Sequence, residues 1–355
     1  MASKAAAVAK KHSIEYLSSL QSWQLKHLCT NMGISSGPKK SATAAALVAA
    51  LDVYSLQQNH SKSRPNIKSV DMGVKNLAYC LIRPRRTATS STSQSDEAWF
   101  RIYDWQRINV LTGESTTAQV ETEEETSVSE DENAGTALTN LYSPANLAPV
   151  AARLASRFAS DMNPSIVLIE RQRFRSMGGS SVQEWTLRVN SLEAMFWASL
   201  ETMRNHAAQV DKSSLFPQTV EMNPARIAAF WNARGSDWSL EGFEVDDIVP
   251  NGSAKPKKRS VDEADIGAKR GMEKSEKISL VRHWLETGAI DVDERLQALA
   301  NAFMLTGRAK KADGDLVVGK KDDLADCVVQ GVTFGLWSRN RQLLFQHLDQ
   351  ELRIR

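Results

Sequence analysis

A chain of 355 residues, 42% hydrophobic and 24% charged, is long enough for one large domain or two unequal ones with a sizeable buried core. It has no apolar run of about 18 residues, so no membrane-spanning helix is expected; Cys29, Cys80 and Cys327 form no C-x-x-C pair, which argues against a disulfide scaffold or a cysteine zinc site. The net charge of +2 hides an asymmetry, because residues 111–140 carry eight acids and no base, leaving +10 elsewhere, a balance that suits a phosphate-binding surface.

In chain order, residues 1–12 (MASKAAAVAKKH) hold lysines, alanines and no acid, as in a mitochondrial targeting segment or a basic tail. Residues 13–54 predict a small helical unit: Leu17, Leu20, Leu25 and Leu28 have helical spacing, and Gly33 is a stop. Ser36-Gly37-Pro38 makes a turn, and Ser41 caps an alanine-rich helix ending near Leu51. Residues 55–66 read as a polar linker.

Short strands follow at Ile67–Val70, Leu77–Ile82 and within 98–110, the last two joined by a loop at 84–97. The acidic stretch 111–140 reads as a disordered, solvated insertion. A helix over 146–161 leads into Ile166–Ile169, whose continuous apolar character marks a buried central strand. A helix over 180–205, a strand at Val220–Met222 and a helix opening at Asn223-Pro224 come next. Residues 250–275 read as a mobile basic insertion, in which Lys255-Pro256-Lys257-Lys258-Arg259 reads first as a solvated loop, with a DNA contact or a nuclear signal as the alternatives. Helices over 276–287 and 293–305 precede a last one running from Lys321 to about Trp337. Strands first, then strands alternating with helices, give an α/β class.

Three carboxylate positions stand at the ends of apolar elements. Asp71 closes the first strand, Glu170 closes the most apolar one, and Asp322, Asp323 and Asp326 occupy the first turns of the last helix, where spacings of three and four share a surface. Taken singly, each has a plain explanation as a turn former, a strand-end ion pair or a helix cap. Together they fit the carboxyl ends of the strands of an open sheet, where such folds place their sites. Clustered carboxylates repel one another unless cations compensate. Mg²⁺ prefers oxygen ligands, and a pair of such ions hydrolyses phosphodiesters. Lys320 and Lys321 are placed to offset the acids and to meet a phosphate.

The stretch Ser69-Val70-Asp71-Met72-Gly73-Val74-Lys75-Asn76-Leu77-Ala78 resembles the first-strand motif of fungal mitochondrial Holliday-junction resolvases. Ile169-Glu170-Arg171-Gln172-Arg173-Phe174-Arg175-Ser176, the helix Glu184–Glu193 and Lys320-Lys321-Asp322-Asp323-Leu324-Ala325-Asp326 resemble the later motifs, across about 67–340. Ahead of them, Leu25-x-x-Leu28, Gly33, Gly37-x-Lys39, Leu47 and Leu51 resemble the SAP motif, a short helical DNA-binding module. A helical hairpin packed on the main domain fits that pattern too.

The resemblance implies an RNase H-like nuclease domain over 67–345, a mixed sheet flanked by helices, behind a SAP-like unit. It implies a homodimer in mitochondria that binds four-way junction DNA and cuts it by paired nicks with Mg²⁺ or Mn²⁺. Neither a small-molecule substrate nor a membrane enters. Carried over, Asp71, Glu170, Asp323 and Asp326 become metal ligands, with Asp322 the alternative to Asp323 and Lys321 beside them. Arg171, Gln172, Arg173, Arg175 and Arg188, with Lys39 and Lys40 of the N-terminal unit, form the DNA-facing set, since guanidinium forks suit phosphates. Two rivals are an actin- or sugar-kinase-like ATPase, which also opens with strand–Asp–x–Gly but needs a glycine-rich phosphate loop not found here, and a noncatalytic junction-binding protein.

Overall fold

The computed structural model describes residues 2–60, 65–85, 98–117, 141–172, 184–210, 216–235, 238–240, 271–305 and 318–354. Residues 86–97 of the loop expected at 84–97, residues 118–140 of the acidic insertion, and residues 241–270, with most of the expected basic insertion and its Lys255–Arg259 run, lie outside them.

Six strands form one sheet: β1 (Ile67–Asp71), β2 (Leu77–Pro84), β3 (Phe100–Ile108), β4 (Ile166–Glu170), β5 (Gln218–Met222) and β6 (Ile290–Val292). Their order is β5-β4-β1-β2-β3-β6. Only β2 runs against its neighbours: it pairs antiparallel with β1, across the short connection 72–76, and with β3. β4, β5 and β6 pair in parallel with the strands beside them. The sheet is therefore mixed and flanked by helices, the expected class.

Strand alternation sends two apolar sets to opposite faces. Val70, Val167 and Ile169 meet Leu154, Phe158, Leu192 and Phe196 from α4 (Pro144–Ser160) and α5 (Glu184–Gln209). Ile67, Cys80, Ile82, Ile166 and Leu168 meet α9 (Lys321–Ile354), α6 (Pro224–Arg234) and α7 (Lys274–Glu286). A 3₁₀ turn (Glu294–Leu296) and α8 (Gln297–Met304) complete that side. Gly331 and Gly335 bring α9 down onto the sheet: a Cβ at Gly331 would stand 3.0 Å from Ile82 Cγ2, and one at Gly335 would overlap the Phe100 ring.

The N-terminal helices α1 (Ala2–Ser19), α2 (Ser22–Asn31) and α3 (Lys40–His60) differ from the sequence reading in three ways. Residues 2–12 are helical, within α1. The helix expected through Leu17–Leu28 is two, because Gln21 and Gln24 cap α2 reciprocally, the Gln21 backbone N–H donating to Gln24 Oε1 at 2.7 Å. α3 continues to His60, through the first half of the expected linker. Gly33 does stop α2, at φ +65°, with the Trp337 ring against the space its side chain would fill.

The last helix is far longer than expected, since beyond Trp337 it buries Leu343, Leu344 and Leu348 in the same core as Leu17, Leu28, Leu47 and Leu51. That shared core makes the N-terminal unit a layer packed on the nuclease-like domain. Strand β6 escaped the sequence reading because three residues are too few to show alternation. The first residues of the expected disordered insertion are tied down: Ser115 bridges Ile108, and Thr116 and Thr117 are buried against Arg107.

Candidate metal centre

Register and alternation bring the acids together. β1 and β4 pair in parallel with Val70 opposite Ile169, so Asp71 and Glu170 end neighbouring strands at the same level. Asp71 follows Ile67 and Ser69 on one face, and Glu170 follows Ile166 and Leu168, so both carboxylates project towards α9. The first turns of α9 supply Asp322, Asp323 and Asp326 from that side. One turn past Asp326, the Gln330 side chain donates to Ser69 Oγ at 3.0 Å and to the Val70 carbonyl at 3.2 Å, fixing the helix beside the end of β1. The Trp105 indole holds the Leu324 carbonyl at 3.0 Å.

The charges feel one another. Burial, then Glu170, Asp326 and Asp323, push the Asp71 carboxyl well above the usual carboxylate range. Burial and Asp322 raise Asp323 to about 6 against Lys320 and Arg107, the Arg107 guanidinium being fully buried at 4.0 Å from Asp323 Oδ2. Asp326 is raised by burial although Lys277 Nζ lies 2.8 Å from its Oδ2. Asp322 departs from this pattern: burial pushes it up, but the hydrogen bond and charge of Lys274, a backbone hydrogen bond and Lys320 together outweigh it, and its carboxyl is held low.

An all-oxygen donor set of this kind suits a hard divalent cation. Asp323 Oδ2 and Asp326 Oδ1 are shut from solvent and accept no hydrogen bond among the described residues, which leaves lone pairs for an ion. Among those residues, no three acidic, imidazole or thiol side chains are drawn into a metal-holding arrangement. Lysines pair with two of the acids here, Lys274 with Asp322 and Lys277 with Asp326. In donor chemistry Asp71, Glu170, Asp323 and Asp326 suit a hard divalent cation, although among the described residues they are not drawn into a metal-holding arrangement.

Other expected site residues fall elsewhere. The Lys321 ammonium donates to the carbonyls of Ala302, Phe303 and Leu305 at 2.8–3.1 Å. It therefore caps the end of α8 and is not at the acids, because those last carbonyls otherwise lack donors. Arg171 pairs with Glu221 at 3.1 Å, and the Gln172 backbone N–H donates to Glu193 Oε2 at 3.3 Å, both just past Glu170. Arg173 and Arg175 lie outside the described residues. Arg188 pairs with Glu184 and stacks 4.1 Å from the Tyr142 ring centre. Lys39 and Lys40 are exposed at the start of α3. Sequence reasoning missed Lys274, Lys277, Gln330 and Arg107. The lysines sit at the edge of a stretch read as a loose insertion, and nothing local ties Gln330 or Arg107 to a site.

The strand order, with one reversed strand and acids at the ends of β1 and β4 facing a last helix, defines an RNase H-like nuclease-type fold. The family described as "Mitochondrial resolvase Ydc2 / RNA splicing MRS1" matches residues 67–344, and the chain belongs to that family. Two relatives are each named "Cruciform cutting endonuclease 1, mitochondrial". That of Schizosaccharomyces pombe is 23% identical over 207 residues, 58% of this chain and 65% of its own length. That of Saccharomyces cerevisiae is 24% identical over 216 residues, 59% of this chain and 53% of its own length. The match thus spans less than two thirds of either relative's length. The crystal structure of the yeast mitochondrial Holliday junction resolvase Ydc2 shares the fold, with a TM-score of 0.51, 18% identity and coverage of 92% of this chain and 97% of that one.

Proposed function

We propose that this protein is a structure-specific endonuclease that resolves four-way DNA junctions in mitochondria, as a homodimer, by paired symmetric nicks. The observation that carries the reading is the convergence of Asp71, Glu170, Asp323 and Asp326, from two adjacent strand ends and one helix, within a family that includes mitochondrial resolvases. The ions such acids hold supply an activated water and stabilise the leaving oxygen.

The chain's own residues do the rest. Asp71 and Glu170, fixed by the β1–β4 ladder, set the floor of the site. Asp323 and Asp326 close it from α9, whose position Gln330 locks to β1. Asp322 is already taken by Lys274, which favours Asp323 as the partner of Asp326. Arg171 and Gln172 lie just beyond Glu170, where phosphates flanking the cut would pass, and exposed Lys39 and Lys40 extend the basic surface on the N-terminal helices.

The test is a labelled panel of four-way DNA junction, linear duplex, single strand and structured RNA, with and without Mg²⁺. The expected outcome is paired nicks in opposed strands of the junction alone, with Mg²⁺. Asp71→Asn is expected to bind the junction normally and to cut at least ~100-fold more slowly, since losing even an outer partner of a metal ligand costs ~10–100-fold. Normal cutting by Asp71→Asn contradicts the assignment. RNA binding with no DNA cleavage would move the protein to the splicing side of its family, and ATP turnover without DNA would revive the ATPase alternative.

A further inference from the structure

Lys277 pairs directly with one of the four proposed ligands, its Nζ 2.8 Å from Asp326 Oδ2. It comes from the first turn of α7, a helix started by reciprocal caps between Glu273 and Glu276, so its stem begins on a fixed base. Its environment is set by Asp326, Glu170 and Asp71 together, the acids of all three elements. Lys274, one turn earlier on the same helix, takes Asp322. The other basic groups at the acids are Arg107, held by Thr116 and 4.0 Å from Asp323, and Lys320. The Lys277 side chain keeps 21% of its surface exposed, which leaves a four-carbon stem a route out to solvent.

An ammonium and a divalent cation compete for the same lone pairs. Resting on the metal-site reading above, we infer that Lys277 is a built-in counter-ion: it holds Asp326 and offsets the acidic cluster in the metal-free protein, and it must leave Asp326 before a divalent cation is ligated there. The chain thereby carries its own competitor for the metal.

The experiment measures Mn²⁺ binding to the intact protein without DNA, by electron paramagnetic resonance, together with thermal melting in chelator and in excess Mn²⁺. Lys277→Met is expected to bind Mn²⁺ about tenfold more tightly than wild type, because an opposing charge near a partly buried site costs on the order of 1 kcal/mol or more. Its melting temperature should fall in chelator and recover in Mn²⁺. Lys277→Arg, which keeps the charge, should behave as wild type, and Lys277→Gln should reproduce Lys277→Met. Unchanged or weaker Mn²⁺ binding by both neutral variants, with wild type binding normally, overturns the counter-ion role alone. A wild-type protein that takes up no Mn²⁺ overturns the metal-site reading and this inference with it.

Discussion

The two halves of helix α9 do opposite work. Its first two turns bring Asp322, Asp323 and Asp326 to the acids of β1 and β4, where burial and like charge push Asp71, Asp323 and Asp326 upward and two aspartate oxygens lack any hydrogen bond among the described residues. Its second half buries Leu343, Leu344 and Leu348 against the N-terminal helices. There side chains reach across to the N-terminal unit: Asn340 and Arg341 donate to the carbonyls of Asn31 and Met32 at 2.7–3.2 Å, and Arg226 donates to that of Gly33 at 3.2 Å, while Asn340 Oδ1 and the Trp337 indole N–H stay buried without a hydrogen bond among the described residues. One end of the helix is electrostatically strained and the other is a packed, capped seam. A fold can carry a destabilising site when the same element is anchored elsewhere.

Substitutions at the two ends should therefore have opposite signatures. The larger stability effect belongs to the seam. Leu28→Ala removes a fully buried side chain from the shared core and should cost ~2–5 kcal/mol, read by denaturant unfolding, while junction cutting at a permissive temperature stays near wild type. If Leu28→Ala unfolds only the N-terminal helices and leaves the melting of the sheet domain untouched, the shared core is not one cooperative unit. The same packing means that deleting residues 1–55 exposes the Leu343–Leu348 face, so such a truncation tests folding as much as DNA binding.

The smaller effect, of opposite sign, belongs to the acids. Asp323 has a folded-state value of about 6 against the usual 3.8. Between those two values the folded protein binds more protons than the unfolded chain, so metal-free stability falls as pH rises through that window and stays low above it. Asp323→Asn should remove this dependence and stabilise the metal-free protein at pH 7 by ~1–3 kcal/mol, the lower end allowing for a side chain still 21% exposed. Unfolding in chelator at pH 5 and 7 reads it, and a variant less stable than wild type at pH 7 would show that Asp323 is held by contacts and not merely tolerated.

Much of the fold was legible because its signals are local. The apolar run Ile166–Ile169, the strand ends at Asp71 and Glu170, and the acid spacing of the last helix each declare themselves within a few residues. What escaped depends on distant partners. The end of α9 is polar in pattern and becomes a core element only because α1–α3 cover it. Lys321 looks catalytic beside Asp322, yet the open carbonyls of α8, reached from another part of the chain, claim its ammonium. Lys277 lies 49 residues before the aspartate it pairs with, so no motif contains it.

The central claim is that Asp71, Glu170, Asp323 and Asp326 act as one metal site. The anomalous scattering of Mn²⁺ soaked into crystals of this protein tests it most directly. The account expects manganese peaks bounded by these four side chains, with the Lys277 ammonium moved off Asp326. Peaks confined to other surfaces, with the four carboxylates still spread and Lys277 still on Asp326 at saturating Mn²⁺, would contradict it.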